Sequence, residues 1–141
     1  MNYGRIVLAG VAATVVYFVV GGLVFGKLIA GYYAPYPNVY RAQAAAMSYF
    51  PIGIVLTLIA ILFLAAIYAH GYKGGSGVAE GFRFGLLIGI FMVCAMVGDE
   101  YVTLNIGREL ALAMAAGRLF GWIIVGVVIG LIYKPKASTA S

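Results

Sequence analysis

The chain has 141 residues, of which 65% are hydrophobic and only 9% charged, and it carries a formal net charge of +5. An average soluble domain is about 45–50% apolar and about 25% charged, so these few charges cannot cover so much apolar side chain in water. The composition therefore excludes an ordinary soluble domain and indicates an integral membrane protein.

The basic residues indicate lipid rather than nucleic acid as the partner. They stand singly along the chain, so there is no Lys/Arg stripe that could follow a phosphate backbone. Interfacial anchoring and attraction to anionic headgroups explain them better, and membrane lipids are the expected partners. The chain has one cysteine, Cys94, and one histidine, His70, which excludes a Cys-x-x-Cys redox pair and bis-histidine haem ligation. No cofactor or metal is expected.

Four apolar blocks follow one another along the chain, each close to the roughly 20 residues that a helix needs to cross a bilayer. Backbone polar groups in lipid must be satisfied within the segment, so the blocks should be helices. We predict helices over residues 5–29, 47–69, 78–104 and 109–133. They form a single all-α membrane domain over residues 1–141, a four-transmembrane-helix bundle with up-down-up-down order.

The first predicted helix carries Gly22 and Gly26 and ends near Lys27, and a Tyr/Pro-rich loop over residues 31–46 follows it. The prolines favour irregular backbone, and Asn38 could cap a short helix that continues into the membrane. Tyrosine rings favour the headgroup zone. The aromatic loop is thus either a belt at the membrane surface or a docking surface for a partner subunit or lipid. Its tyrosines are Tyr32, Tyr33, Tyr36 and Tyr40.

The second predicted helix holds Pro51 in its first turn, where the missing N–H has little effect. No ionisable group lies between Ile54 and Ile67. The glycine-rich turn after His70 lacks the Gly-Lys-Ser/Thr ending of a phosphate loop.

The third and fourth predicted helices carry glycine ridges. Residues four apart lie nearly along one stripe of a helix, and a glycine stripe lets another backbone approach closely. The ridges either pack inside the bundle or form an interface with another copy or another subunit. Their members are Gly77, Gly81, Gly85 and Gly89 in the third helix, and Gly117, Gly121, Gly126 and Gly130 in the fourth.

Charged residues cluster where these two helices join. The short connection near Gly107 predicts an antiparallel hairpin, which would place Glu100 opposite Met114 and Asp99 within about a turn of Arg118. A charge costs about 2.5–3.5 kcal/mol at the centre of a membrane helix and less near its ends, so these groups should pair or face water. The cluster is either an ion-paired cap or a polar pocket for proton or ion entry, with Asp99 or Glu100 as the titrating carboxylate and Arg118 as its partner. Its members are Asp99, Glu100, Arg108, Glu109 and Arg118.

Four spans place both termini on one side. That side carries Arg5, Lys73, Arg83, Lys134 and Lys136, and the opposite side carries Lys27, Arg41, Arg108 and Arg118. The excess of one positive charge favours cytoplasmic termini in a bacterial inner membrane. The tail over residues 134–141 is predicted to be disordered.

Three function classes follow from these features. The first is a non-catalytic membrane subunit that self-associates, or packs into a larger membrane complex, through the glycine-rich faces. The alternative is a small transporter or channel with a polar site at the hairpin of the third and fourth helices. An enzyme acting on a lipid or quinone is less favoured, because no nucleophile, metal site or cofactor motif accompanies the carboxylates.

Overall fold

A computed structural model describes residues 2–133 of the chain, and the predicted tail over residues 134–141 lies outside them. The described part is helical and contains no strand. Helix α1 (Tyr3–Leu23) continues as a π-helical turn (Val24–Leu28) and is followed by the short α2 (Ala30–Tyr33) and the long α3 (Gln43–Gly71). Helix α4 (Gly77–Met92) leads through a second π-helical turn (Val93–Val97) into α5 (Gly98–Thr103), and α6 (Arg108–Ile132) follows.

Four helical stretches are long and apolar enough to cross a membrane. We call them span 1 (Tyr3–Leu28), span 2 (Ala44–Gly71), span 3 (Gly77–Thr103) and span 4 (Arg108–Ile132); they hold 26, 28, 27 and 25 residues. At a rise of 1.5 Å per residue they are about 38–42 Å long, against a hydrocarbon core of about 30 Å. The predicted helical class and the four membrane-length helices are confirmed, and the up-down-up-down order across a membrane stays a prediction.

The start of α3 differs from the sequence expectation. The helix begins at Gln43, and Ala42 before it has extended backbone (φ −56°, ψ 144°). Asn38 lies in a turn and does not cap a helix that continues into α3. The alanines that follow Gln43 have the highest helix propensity, which extends the helix towards its N-terminus. Pro51 therefore lies inside α3 rather than in its first turn.

The helices pack in the order α3, α1, α6, α4. Helix α1 contacts α3 on one side and α6 on the other, and α6 makes its most extensive contact with α4. Span 2 approaches span 3 at the ring of Tyr68, whose centroid lies 5.3 Å from that of Phe84. The result is an open row with α1 and α6 in its middle, which leaves the outer helices largely uncovered by the chain.

Neighbouring helices in this row run antiparallel. Arg5 Nη1, at the start of α1, donates to the carbonyl of Ile132 at 3.4 Å, and the rings of Tyr17 and Trp122 lie 5.4 Å apart. The core where three of the helices meet is apolar and includes Ile61, Val125 and Ile129, with at most 2% of each exposed.

Candidate functional site

The glycine ridge of α4 lies against α6 of the same chain. A Cβ added at Gly77 would collide with the carbonyl oxygen of Gly130, and one at Gly81 with that of Gly126. At Gly85 it would lie 2.5 Å from the carbonyl oxygen of Trp122. These contacts are backbone to backbone, so no side chain can move aside to admit a larger residue.

The remaining glycines divide into occupied and open positions. A Cβ at Gly89 would lie 2.8 Å from Leu119 Cδ1, and one at Gly117 would lie 2.9 Å from Val24 Cγ1 of span 1. Gly121 has nothing within 4 Å. Seven of the eight ridge glycines are thus occupied by the chain's own helices and are not free to contact a partner in this conformation.

Gly22 and Gly26 of span 1 stay open. Gly22 and Gly26 are exposed, lie about one turn apart, and have nothing within 4 Å of a Cβ built on either. They belong to the part of span 1 where α1 passes into its π-helical turn. The spacing of Gly22 and Gly26 is visible in the sequence. It does not distinguish them from the glycines that contact another helix, because spacing alone does not tell which face a neighbouring helix covers.

The charged cluster contains one ion pair. Arg118 Nη2 donates to Glu100 Oε1 at 3.0 Å, and these side chains are 24% and 23% exposed, respectively. The hairpin geometry placed Asp99 near Arg118 and Glu100 opposite Met114. In the structure Glu100 is the partner of Arg118, and Asp99 is exposed. The reason is the π-helical turn before α5, which changes the rotation of the residues that follow it relative to a regular α-helix.

The other predicted members of the cluster do not join this pair. Arg108 and Glu109 are exposed at the start of α6. Glu109 lies in the first turn, where a carboxylate interacts favourably with the helix dipole. The structure therefore brings Glu100 and Arg118 together and leaves Asp99, Arg108 and Glu109 on the surface.

The aromatic loop folds over the same end of the hairpin. The Gly107 backbone N–H donates to the Tyr36 hydroxyl oxygen at 2.7 Å, and the Tyr40 hydroxyl donates to Met114 Sδ at 3.8 Å. The rings of Tyr33 and Tyr40 form an edge-to-face pair with centroids 4.9 Å apart. Three of the four predicted tyrosines pack against the hairpin, and Tyr32 is 45% exposed.

Two phenols of the loop have a raised pKa. Burial raises the pKa of Tyr33 to about 12, and the neighbouring Tyr40 hydroxyl and the Glu100 carboxylate act in the same direction against Arg118. Burial, followed by the Glu100 carboxylate, also raises the pKa of Tyr40. Both phenols are therefore neutral at physiological pH and remain available as hydrogen-bond donors beside the ion pair.

The ion pair leaves two polar atoms without a partner. Glu100 Oε2 and Arg118 Nε are buried, and neither has a hydrogen-bond partner within residues 2–133. Leaving a buried polar group unpaired costs about 1–3 kcal/mol. A narrow crevice between α1 and α6 reaches Arg118 and is lined by Tyr17, Gly21 and Trp122 among others. The crevice therefore reaches the Arg118 side of the ion pair, and Glu100 does not line it.

No group of three or more His, Cys, Asp or Glu side chains in the described part of the chain could hold a metal ion. No protein-family model, curated protein or solved structure matches the chain. Function is therefore inferred from the geometry of the helices, the ion pair and the open surfaces.

Proposed function

We propose that the chain is a non-catalytic integral membrane subunit of a bacterial inner membrane, with cytoplasmic termini, that self-associates or joins a larger membrane complex. The four apolar spans support the membrane location. They expose large apolar side chains that acyl chains would cover, such as Leu56 (62% exposed), Phe63 (68%) and Phe91 (62%). In water, a continuous apolar surface of this size would drive aggregation.

The observation that carries the association is the open pair Gly22 and Gly26. A glycine in a helix is destabilising by about 0.5–1 kcal/mol relative to alanine, and neither residue provides a close approach for another helix of the chain. A small-residue face exposed to lipid does permit close approach of a helix from another molecule, where dispersion and weak backbone contacts stabilise association.

The open row of helices supports the same proposal. Only 11% of the apolar window of span 2 is buried inside the chain. Span 2 and the outer face of span 1 therefore offer large uncovered surfaces to lipid or to other transmembrane helices.

The test is the assembly mass of the full chain in native nanodiscs, with identification of any co-purifying protein. Leucine at Gly22 and Gly26 should reduce the mass to that of one chain, because a Cβ at either position has nothing of its own chain within 4 Å and the larger side chains would obstruct a neighbouring helix. Gly71→Leu is the control, since Gly71 is the last residue of α3 and also has nothing within 4 Å of a built Cβ. A wild-type protein that purifies as a lone monomer contradicts the proposal.

A second candidate is a small transporter or channel whose site is the Glu100–Arg118 pair. The two unpaired buried atoms of the pair favour it, as does the α1–α6 crevice that reaches Arg118. Against it, the buried polar residue Thr14 is already satisfied, because its hydroxyl donates to the Gly10 carbonyl at 2.8 Å. A polar path would therefore have to lie between protomers.

The transport candidate has its own test. Proton flux into liposomes that contain the protein, followed with a pH-sensitive dye, should be lost in Glu100→Gln and retained in Asp99→Asn. Absence of proton flux with the wild-type protein would remove support for a proton path.

A further inference from the structure

Spans 3 and 4 diverge towards their hairpin end. At Gly85 the atom nearest to an added Cβ is the backbone oxygen of Trp122, whereas at Gly89 it is a side-chain carbon of Leu119. The π-helical turn follows at Val93–Val97. Beside this divergence lies an open groove of about 390 Å³, bounded by the end of span 3 and the start of span 4.

Small side chains keep the groove open. Cys94 and Gly98 lie one turn apart on the wall formed by span 3, and Ala111 and Ala115 lie one turn apart on the wall formed by span 4. The segment from Arg108 to Ala115 runs for about 10 Å at the helical rise. The groove is thus an apolar trough of a size that suits part of an acyl chain.

The polar groups of the groove lie at one end. Apart from the Cys94 thiol, they come from Tyr101 and Arg108, both next to the hairpin connection. Arg108 is exposed, and the salt bridge found in the described residues joins Arg118, not Arg108, to a carboxylate. A guanidinium at the end of a membrane-length helix is placed where lipid phosphates lie, and its planar fork matches phosphate oxygens.

We propose that this groove binds a phospholipid, with one acyl chain in the trough beside Cys94 and Ala115 and the headgroup phosphate on Arg108. The inference rests on the proposed membrane location. The apolar trough matches an acyl chain, and the cation at its end matches the phosphate of the headgroup. A protein helix would match the apolar walls but leave the guanidinium without an anionic partner.

The test uses the full chain in mild detergent, stripped of lipid and titrated with dioleoylphosphatidylglycerol, with bound lipid counted by native mass spectrometry. The wild type should retain one lipid. Arg108→Gln should weaken retention about tenfold, because a charge-assisted contact to phosphate is lost, and Ala115→Phe should abolish it by filling the trough. The controls are Arg83→Gln and Ala116→Phe, at exposed positions that do not line the groove.

Cys94 provides an independent readout, since it is the chain's one cysteine and it is exposed on the groove wall. Bound lipid should slow its reaction with a lipid-soluble maleimide, and Arg108→Gln should reduce this protection. Equal lipid retention by the wild type and both groove variants, or labelling that does not depend on lipid, overturns the proposal.

Two further outcomes separate the possible failures. If Ala115→Phe changes the assembly mass and leaves lipid retention intact, the groove is a protein interface and the lipid proposal is wrong. Alkaline carbonate treatment of membranes tests the location itself: a released chain contradicts the proposed function, whereas a retained chain without a lipid difference contradicts the groove alone.

Discussion

Glu100 and Arg118 join spans 3 and 4 through a hydrogen bond of 3.0 Å between Oε1 and Nη2. The pair lies at the hairpin end of these spans, and the Tyr33 and Tyr40 rings lie next to it. An ion pair that is three-quarters shielded from solvent interacts more strongly than a surface pair, but each partner depends on the other for its hydrogen bonds.

Glu100→Gln should lower the free energy of unfolding by about 1–3 kcal/mol, because it leaves the Arg118 guanidinium partly buried without a charged partner. The measurement is thermal or denaturant unfolding in detergent. Asp99→Asn, at an exposed position, should have little effect. Adding Arg118→Gln to Glu100→Gln should recover part of the loss, as expected for a coupled pair. An equal loss from Asp99→Asn would mean that the pairing described above is wrong.

Gly81→Ala should destabilise the chain by about 1–3 kcal/mol, because overpacking forces the backbones of α4 and α6 apart. Its Cβ would meet the carbonyl oxygen of Gly126, which cannot rotate away. Gly121→Ala is the matched control in α6, where nothing lies within 4 Å, and it should gain up to about 1 kcal/mol from helix propensity. Circular dichroism during thermal unfolding measures both variants. Equal effects of the two substitutions would contradict the close contact at Gly81.

The contact between the aromatic loop and the hairpin should weaken at high pH. The Tyr33 pKa is raised from 10.0 to about 12 in the folded chain. Folding therefore favours the neutral phenol, and this contribution is fully present below pH 10 and lost as pH rises through about 12. Tyrosinate absorbance should show a late step that becomes smaller in Tyr33→Phe and keeps its amplitude in Tyr32→Phe. A smaller late step in Tyr32→Phe, with no change in Tyr33→Phe, would contradict the assignment of the raised pKa to Tyr33.

Tyr36→Phe should increase amide hydrogen exchange at Gly107. The Tyr36 hydroxyl is the acceptor for the Gly107 N–H at 2.7 Å, and losing such a bond costs about 0.5–1.5 kcal/mol. Tyr40→Phe removes a neighbouring hydroxyl, which contacts Met114 instead, and should leave Gly107 protected. Unchanged exchange in Tyr36→Phe would show that the loop does not hold the hairpin connection in solution.

The helices and the proximity of spans 3 and 4 were predictable from sequence, because apolar runs of membrane length and a short connection leave few alternatives. Which of Asp99 and Glu100 pairs with Arg118 was not predictable, because the π-helical turn at Val93–Val97 leaves no recognisable pattern in the sequence. The loop contact was missed for another reason. Prolines predict irregular backbone but do not show which part of the chain the loop packs against. Tyr36 and Gly107 are 71 residues apart in the sequence.

Glycine spacing was informative in a similarly limited way. It predicted that helices approach closely, and Gly77, Gly81 and Gly85 do contact α6 at backbone level. It could not distinguish these positions from Gly22 and Gly26, because the same spacing suits contact with a helix of the same chain and contact with a helix of another molecule. The distinction needs the positions of the surrounding helices.

The assembly mass of the full chain in native nanodiscs, compared with that of a variant carrying Gly22→Leu and Gly26→Leu, tests the proposed subunit role most directly. We expect the wild type to form a defined oligomer or to co-purify with another membrane protein, and the variant to remain folded as a single chain. A wild type that is a lone monomer, or a variant with an unchanged assembly mass, would contradict association through this face.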